Sequence, residues 1–174
     1  MQELSIRLAE PNDLCTITRI YADAVRHGTA SFEIDPPDQV EMARRYETLR
    51  SGGFPYLVAE RAGSIAGYAY SGPYRARPGY RFTVEDSIYV AADAQRRGIG
   101  RALLRRLIME AETRGFRQMI AVIGDSAQTP SIALHQAAGF RMVGTFAAVG
   151  FKFGRWLDTV LMQRPLGTGA PTAP

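Results

Sequence analysis

Apolar and polar side chains alternate over LSIRLA, residues 4–9, with the two-residue period of a strand. The period then lengthens. Leu14, Ile17, Tyr21 and Val25 recur at helical spacing through LCTITRIYADAV, behind Asn12 or Asp13 as cap. RHGTASFEIDPP, with Gly28 and the pair Pro36 and Pro37, reads as an irregular connection placed to line a pocket. DQVEMARRYETLR follows as a more charged helix stopped by Gly52 and Gly53, and YLVAER and SIAGYAYSG, split around Gly63, form a hairpin.

The longest alternating stretch is YRFTVEDSIYV. It sets Phe82, Val84, Ile88 and Val90 on one face and Arg81, Thr83, Glu85 and Ser87 on the other, and Asp86 intrudes on the apolar row, so a bulge is expected at Asp86. From Gly98 the spacing is again helical: Ile99, Leu103, Leu107 and Ala111 recur while Arg105, Arg106, Glu110 and Arg114 stay polar, up to Gly115. QMIAVIG, reached through that crossover helix, is able to pair in parallel with TVEDSIYV. A short helix, SIALHQAAG, and two closing strands, FRMVGTFAAVG and WLDTVLMQR, complete a single domain over residues 1–165. Residues 166–174 are small and Pro-rich and are expected to be disordered. The chain shows no internal repeat and no linker.

Composition narrows the choice of function. The 174 residues are 46% hydrophobic and 22% charged, which suits one core. The lone Cys15 has no partner for a disulfide or a zinc site, so a reducing, cytoplasmic compartment and no metal are expected. MQELSIRLAE carries charges where a signal peptide needs an apolar run, and no span approaches the ~20 apolar residues of a membrane helix. The net charge of +4 is carried by Arg scattered among acidic residues, so no nucleic-acid partner is expected; the excess suits a smaller polyanion such as a nucleotide cofactor.

QRRGIGRALL, residues 95–104, has the chemistry to hold such an anion. It joins a strand to a helix whose first N–H groups lack internal partners, Gly98 and Gly100 let the backbone come close, and Arg96, Arg97 and Arg101 add charge. A P-loop would need Gly-Lys followed by Ser or Thr, and a dinucleotide fingerprint a small residue at Leu103; neither is present.

QRRGIG after IYV, with SIALHQAAGF downstream, resembles the GNAT superfamily of acetyl-CoA-dependent N-acetyltransferases. TASFE, YRFTVEDSIYV, AVIGDS and KFGRWLD narrow the resemblance to the bacterial subgroup that acetylates phosphinothricin and methionine sulfoximine or sulfone, along residues 6–162. The resemblance implies an α/β (α+β) fold with a central twisted mixed, mostly antiparallel sheet of about seven strands flanked by about four helices. It places acetyl-CoA in a splay between the strand ending at Val90 and the one ending at Ile123. Its diphosphate would lie on Arg96, Arg97, Gly98, Ile99, Gly100 and Arg101, and its pantetheine would run beside Ile88, Tyr89 and Val90, with Gln128 and Ser131 close by.

Acyl transfer to an amine needs a base for the ammonium proton, a donor for the carbonyl oxygen and an acid for the thiolate. The resemblance offers Glu85 as base, the Val90 amide as oxyanion donor, and His135 as acid on sulfur or second base. It sets Tyr74, Arg75, Ala76, Glu85, Asp86 and Ser87 against the acceptor, and an Arg fork suits a carboxylate or phosphinate; from the connection loop Thr29, Ser31 and Phe32 read as further wall, with Phe32 equally readable as core. A small anionic amino acid is the implied acceptor, acetylated by direct attack within a ternary complex. KFGRWLD, with Trp156 and Asp158, reads as packing, and the resemblance implies that it is also surface for a homodimer. Another acceptor, a polyamine or protein N-terminus, or an acyl-CoA sensor without turnover, remain the competing readings, and His27 is expected to be solvated.

Overall fold

The computed structural model describes residues 4–172. Strands β1 (Leu4–Leu8), β2 (Tyr56–Arg61), β3 (Ser64–Pro73), β4 (Thr83–Val90), β5 (Gln118–Gly124), β6 (Arg141–Lys152) and β7 (Arg155–Pro165) form one sheet in the order β1-β2-β3-β4-β5-β7-β6. All neighbours are antiparallel except β4 and β5. The crossover between those two is helix α3 (Ile99–Thr113). Helices α1 (Leu14–His27), α2 (Gln39–Ser51) and α4 (Thr129–Ala137) complete the fold.

The helical faces expected from spacing are the buried ones. Leu103, Leu104, Leu107 and Ala111 of α3 pack with Val84, Met119 and Ala121 on one side of the sheet. Ile17, Tyr21 and Val25 of α1, with Met42 and Tyr46 of α2, pack on Tyr56, Val58 and Tyr68 on the other. At roughly 1.5–3 kcal/mol for each large side chain taken from water, these two layers clamp the central strands between them.

The central pairing is short. β4 and β5 are joined only from Thr83 with Gln118 to Asp86 with Ala121. β4 then continues four residues to Val90, held by β3 alone, while β5 continues to Gly124, held by β7 alone. The sheet therefore opens between its two middle strands, and the β4 backbone beyond Asp86 carries no strand partner on that side among the described residues.

One expectation fails. No bulge occurs at Asp86: its register with both β3 and β5 is continuous, and the shifts fall at Ala59/Glu60, Met142/Gly144 and Phe146/Gly150. The carboxylate is kept inside by a buried partner instead of by rerouting the strand. Residues 166–172 run back along the domain. Leu166 is fully buried, and Arg117 donates to the carbonyls of Gly169 (2.8 Å) and Thr172 (3.0 Å). One apolar side chain among small ones anchors the segment; residues 173–174 lie outside the described residues.

Candidate active site

The glycine loop closes into α3 through left-handed backbone at Arg96 (φ 59°) and Gly98 (φ 80°). Gly98 takes that conformation without strain, whereas Arg96 holds it at a cost, as residues at binding loops often do. Gln95 through Gly98 and Arg101 are exposed, Ile99 is buried as the first core residue of α3, and a Cβ at Gly98 would meet nothing within 4 Å. Unpaired helix N–H groups with three flanking guanidinium groups make this an anion cradle, directly beyond the free edge of β4. Loop and edge together fit a long ligand with a polyanionic head and an amide-bearing arm.

Alternation along β4 sends Glu85 and Asp86 to opposite faces. Glu85, on the α1 and α2 side, is half-buried, and its pKa is pushed up to about 7 by burial and by the neighbouring Asp86, against a lowering by Arg75. A carboxyl group so placed exchanges a proton near neutrality. Ser87 is two residues further on the same face, in register with Tyr70 and within reach of its hydroxyl. Tyr74 and Arg75 lie in the hairpin between β3 and β4, with the Arg75 guanidinium 5.2 Å from the Tyr74 ring centre; Ala76 is exposed beside them. Arg75 is exposed, and its positive charge is near enough to hold the Glu85 pKa down against burial.

Asp86 is not on the Glu85 face. It is buried on the α3 and α4 face, where its Oδ2 lies 3.0 Å from Nε2 of His135. Nδ1 of His135 donates to the Ser131 carbonyl at 2.7 Å, so both ring nitrogens face acceptors. Burial alone pulls the His135 pKa down, but the Asp86 carboxylate outweighs it and the net shift is upward. The Asp86 carboxylate thus favours the charged form of the ring, and the two contacts fix its orientation. The other oxygen of Asp86, Oδ1, is buried without a hydrogen-bond partner among the described residues.

The connection between α1 and α2 folds over the open end of the sheet. Gln128 donates through Nε2 to Thr29 Oγ1 at 2.9 Å, so this amide holds the connection; Ser131, one turn on, gives its carbonyl to His135. Ser31 and Glu33 take hydrogen bonds with the Tyr21 hydroxyl at 2.9 and 3.0 Å, and Arg45 binds Glu33 at 2.6 Å. Phe32 lies over Gly124 and Gly150, where an added Cβ would meet its ring at 2.8 and 2.3 Å. Away from the site, Cys15 is exposed, and His27 is exposed with Nδ1 2.9 Å from Asp23. Asp158 binds Ser126 (2.6 Å) and the Ala148 amide (3.0 Å) on the closing hairpin.

Sequence reasoning singled out Glu85, Arg75, the loop, Asp86 and His135 one by one, but did not pair Asp86 with His135 and did not notice the buried Lys152. For the pair a signal existed: an acidic residue in an apolar row needs a buried cation, and one of the chain's two His residues stands on the apolar face of the last short helix. The described residues hold no group of three or more His, Cys, Asp or Glu able to bind a metal, and no helix long and apolar enough to cross a membrane.

An opened mixed sheet with an anion cradle at one end of the gap and a near-neutral carboxyl group beside it defines an acyltransferase. The chain belongs to the GNAT acetyltransferases: the family described as acetyltransferase (GNAT) domain matches residues 6–161. It is 54% identical over 170 residues to a phosphinothricin N-acetyltransferase of Alcaligenes faecalis, covering 98% of this chain and 86% of that one. It is 42% identical to an L-methionine sulfoximine/L-methionine sulfone acetyltransferase of Salmonella typhimurium, covering 94% and 95%. The fold matches a GNAT superfamily phosphinothricin acetyltransferase from Sinorhizobium meliloti, solved in complex with AcCoA, with a TM-score of 0.95 and 50% identity over 98% and 92% of the two chains.

Proposed function

We propose that the protein transfers the acetyl group of acetyl-CoA to the α-amine of a small anionic amino acid of the phosphinothricin, methionine sulfoximine or methionine sulfone type, by direct attack in a ternary complex. The observation that carries this reading is Glu85, half-buried on β4 beside the opened sheet with a pKa near 7 and with the charge of the exposed Arg75 acting on it. A carboxylate of that strength takes the proton of an amino acid's ammonium group at neutral pH, and an exposed guanidinium pairs with the acceptor's acid group.

Acetyl-CoA supplies the acetyl group activated as a thioester. The chain's own residues hold and orient: the amides and guanidinium groups from Arg96 to Arg101 hold the diphosphate, and the free β4 edge from Ile88 to Val90 takes the pantetheine amides. The Val90 amide is the donor for negative charge on the carbonyl oxygen. On the opposite face His135, held between Asp86 and the Ser131 carbonyl, is the candidate to pass a proton to the departing thiolate, a step that requires it to give up one of those two hydrogen bonds. The exposed free thiol of Cys15 suits a reducing cytoplasm, and the apolar outer face of β6 suits a homodimer.

The test is an acceptor screen by mass shift. Incubation with acetyl-CoA should add one acetyl group to phosphinothricin, methionine sulfoximine or methionine sulfone and release one thiol for each. Polyamines and peptide N-termini should react far more slowly; thiol release no faster than background with all three amino acids refutes the reading.

A further inference from the structure

Lys152, the last residue of β6, is the only lysine in the chain; every other one of its 21 Lys and Arg side chains is Arg. It is 3% exposed. Its Nζ donates to the carbonyls of Gly28 (2.9 Å) and Ser31 (2.8 Å), and it lies 5.0 Å from the centre of the Phe153 ring. Burying an ammonium is costly, and here it is directed at backbone oxygens, with Glu33 acting on it only from a distance.

Two carbonyls three residues apart converge on one compact cation, which makes the chain curl between Gly28 and Ser31. That curl lays Phe32 over Gly124 and Gly150, where the strands beneath lack the Cβ that would displace it. The closing hairpin, more than 120 residues away in sequence, thus reaches across the open sheet to fix a segment of the α1–α2 connection.

We propose that Lys152 is a positioning residue for acceptor recognition: its ammonium ties residues 28–31 to the β6–β7 hairpin and so fixes the wall that the acceptor amino acid meets. This rests on the acceptor reading above. The acetyl-CoA cradle, built from β4 and the start of α3, takes no support from it.

Lys152→Met keeps the length of the side chain and removes its donors; Lys152→Arg keeps a donor. For Lys152→Met the acceptor KM should rise about tenfold or more while acetyl-CoA affinity stays within about twofold, with part of the loss restored in Lys152→Arg. Amide hydrogen exchange should speed up at residues 28–33 and stay unchanged in α3. An unchanged KM, or acceptor KM, acetyl-CoA affinity and exchange in α3 all worsening together, overturns the proposal. If Lys152→Met does not fold, the wild type still decides. Labelling of its single lysine by an amine-reactive ester, read by peptide mass, should slow with saturating phosphinothricin and not with acetyl-CoA alone; equal protection by both, or by neither, overturns the proposal. A wild type that acetylates none of the three amino acids refutes the acceptor reading, and exchange at residues 28–33 then decides the tether by itself.

Discussion

Glu85 carries the sharpest expectation at the scale of a single residue. Because burial and Asp86 raise its pKa to about 7, kcat/KM should climb with pH through that value as the carboxylate forms. Glu85→Gln should lose that limb and about 10²–10⁴-fold in kcat, with acetyl-CoA affinity nearly unchanged in calorimetry. The sign for stability is opposite. A folded-state pKa above the unfolded one favours folding of the protonated form, so this stabilisation is complete below about pH 4.5 and is lost as pH rises through 7. Glu85→Gln should therefore be the more stable protein at pH 8, by about 1 kcal/mol once the partial exposure of the group is allowed for. Glu85 was legible because alternation alone puts it on the polar row of a central strand. Asp86 was legible as an anomaly only: its partner is 49 positions away, and one-dimensional periodicity does not reveal what faces a residue across a core.

Between elements, the Asp86–His135 pair fastens α4 to β4 where the β4–β5 pairing stops. Its His side is raised in pKa, so its stabilisation is full below about pH 6.5 and fades as pH rises through the folded-state value. Asp86→Asn leaves a buried cation without its counter-charge, and chemical denaturation should show a loss of about 3 kcal/mol at pH 6 and less at pH 9. An equal loss at both values would mean that the ring is neutral in the native protein. Helices and strands were otherwise well marked in the sequence. Leu103, Leu107 and Ala111 are buried as their spacing requires, and the parallel β4–β5 pair follows from the crossover helix between them. Asp13 is the exception at a helix start: its carboxylate turns back to Arg7 (2.7 Å) and the Glu10 amide (2.8 Å), outside the reach of a pattern that sees only the helix it precedes. The connection from Gly28 to Asp38 was expected from its composition to line a pocket, but its tether was not legible, since Lys152 falls in KFGRWLD, which reads as packing and dimer surface.

Across the whole molecule, the final strand of the sheet is its least finished part. β6 lies at the edge, and Val143, Phe146, Val149 and Phe151 are more than half exposed, as is Trp156 on β7. An edge this long and apolar invites pairing unless it is covered, and a second copy covers it in the homodimer proposed above. Phe146→Glu together with Trp156→Glu should halve the mass seen by light scattering, while a mass already that of one chain in the wild type removes the dimer from the account. The opened sheet has a consequence for anyone designing a ligand. Glu85 and the Asp86–His135 pair leave one strand on opposite sides, so a compound meant to engage both must be threaded through the fold like a rod through a slot, and its middle must be slender however bulky its ends.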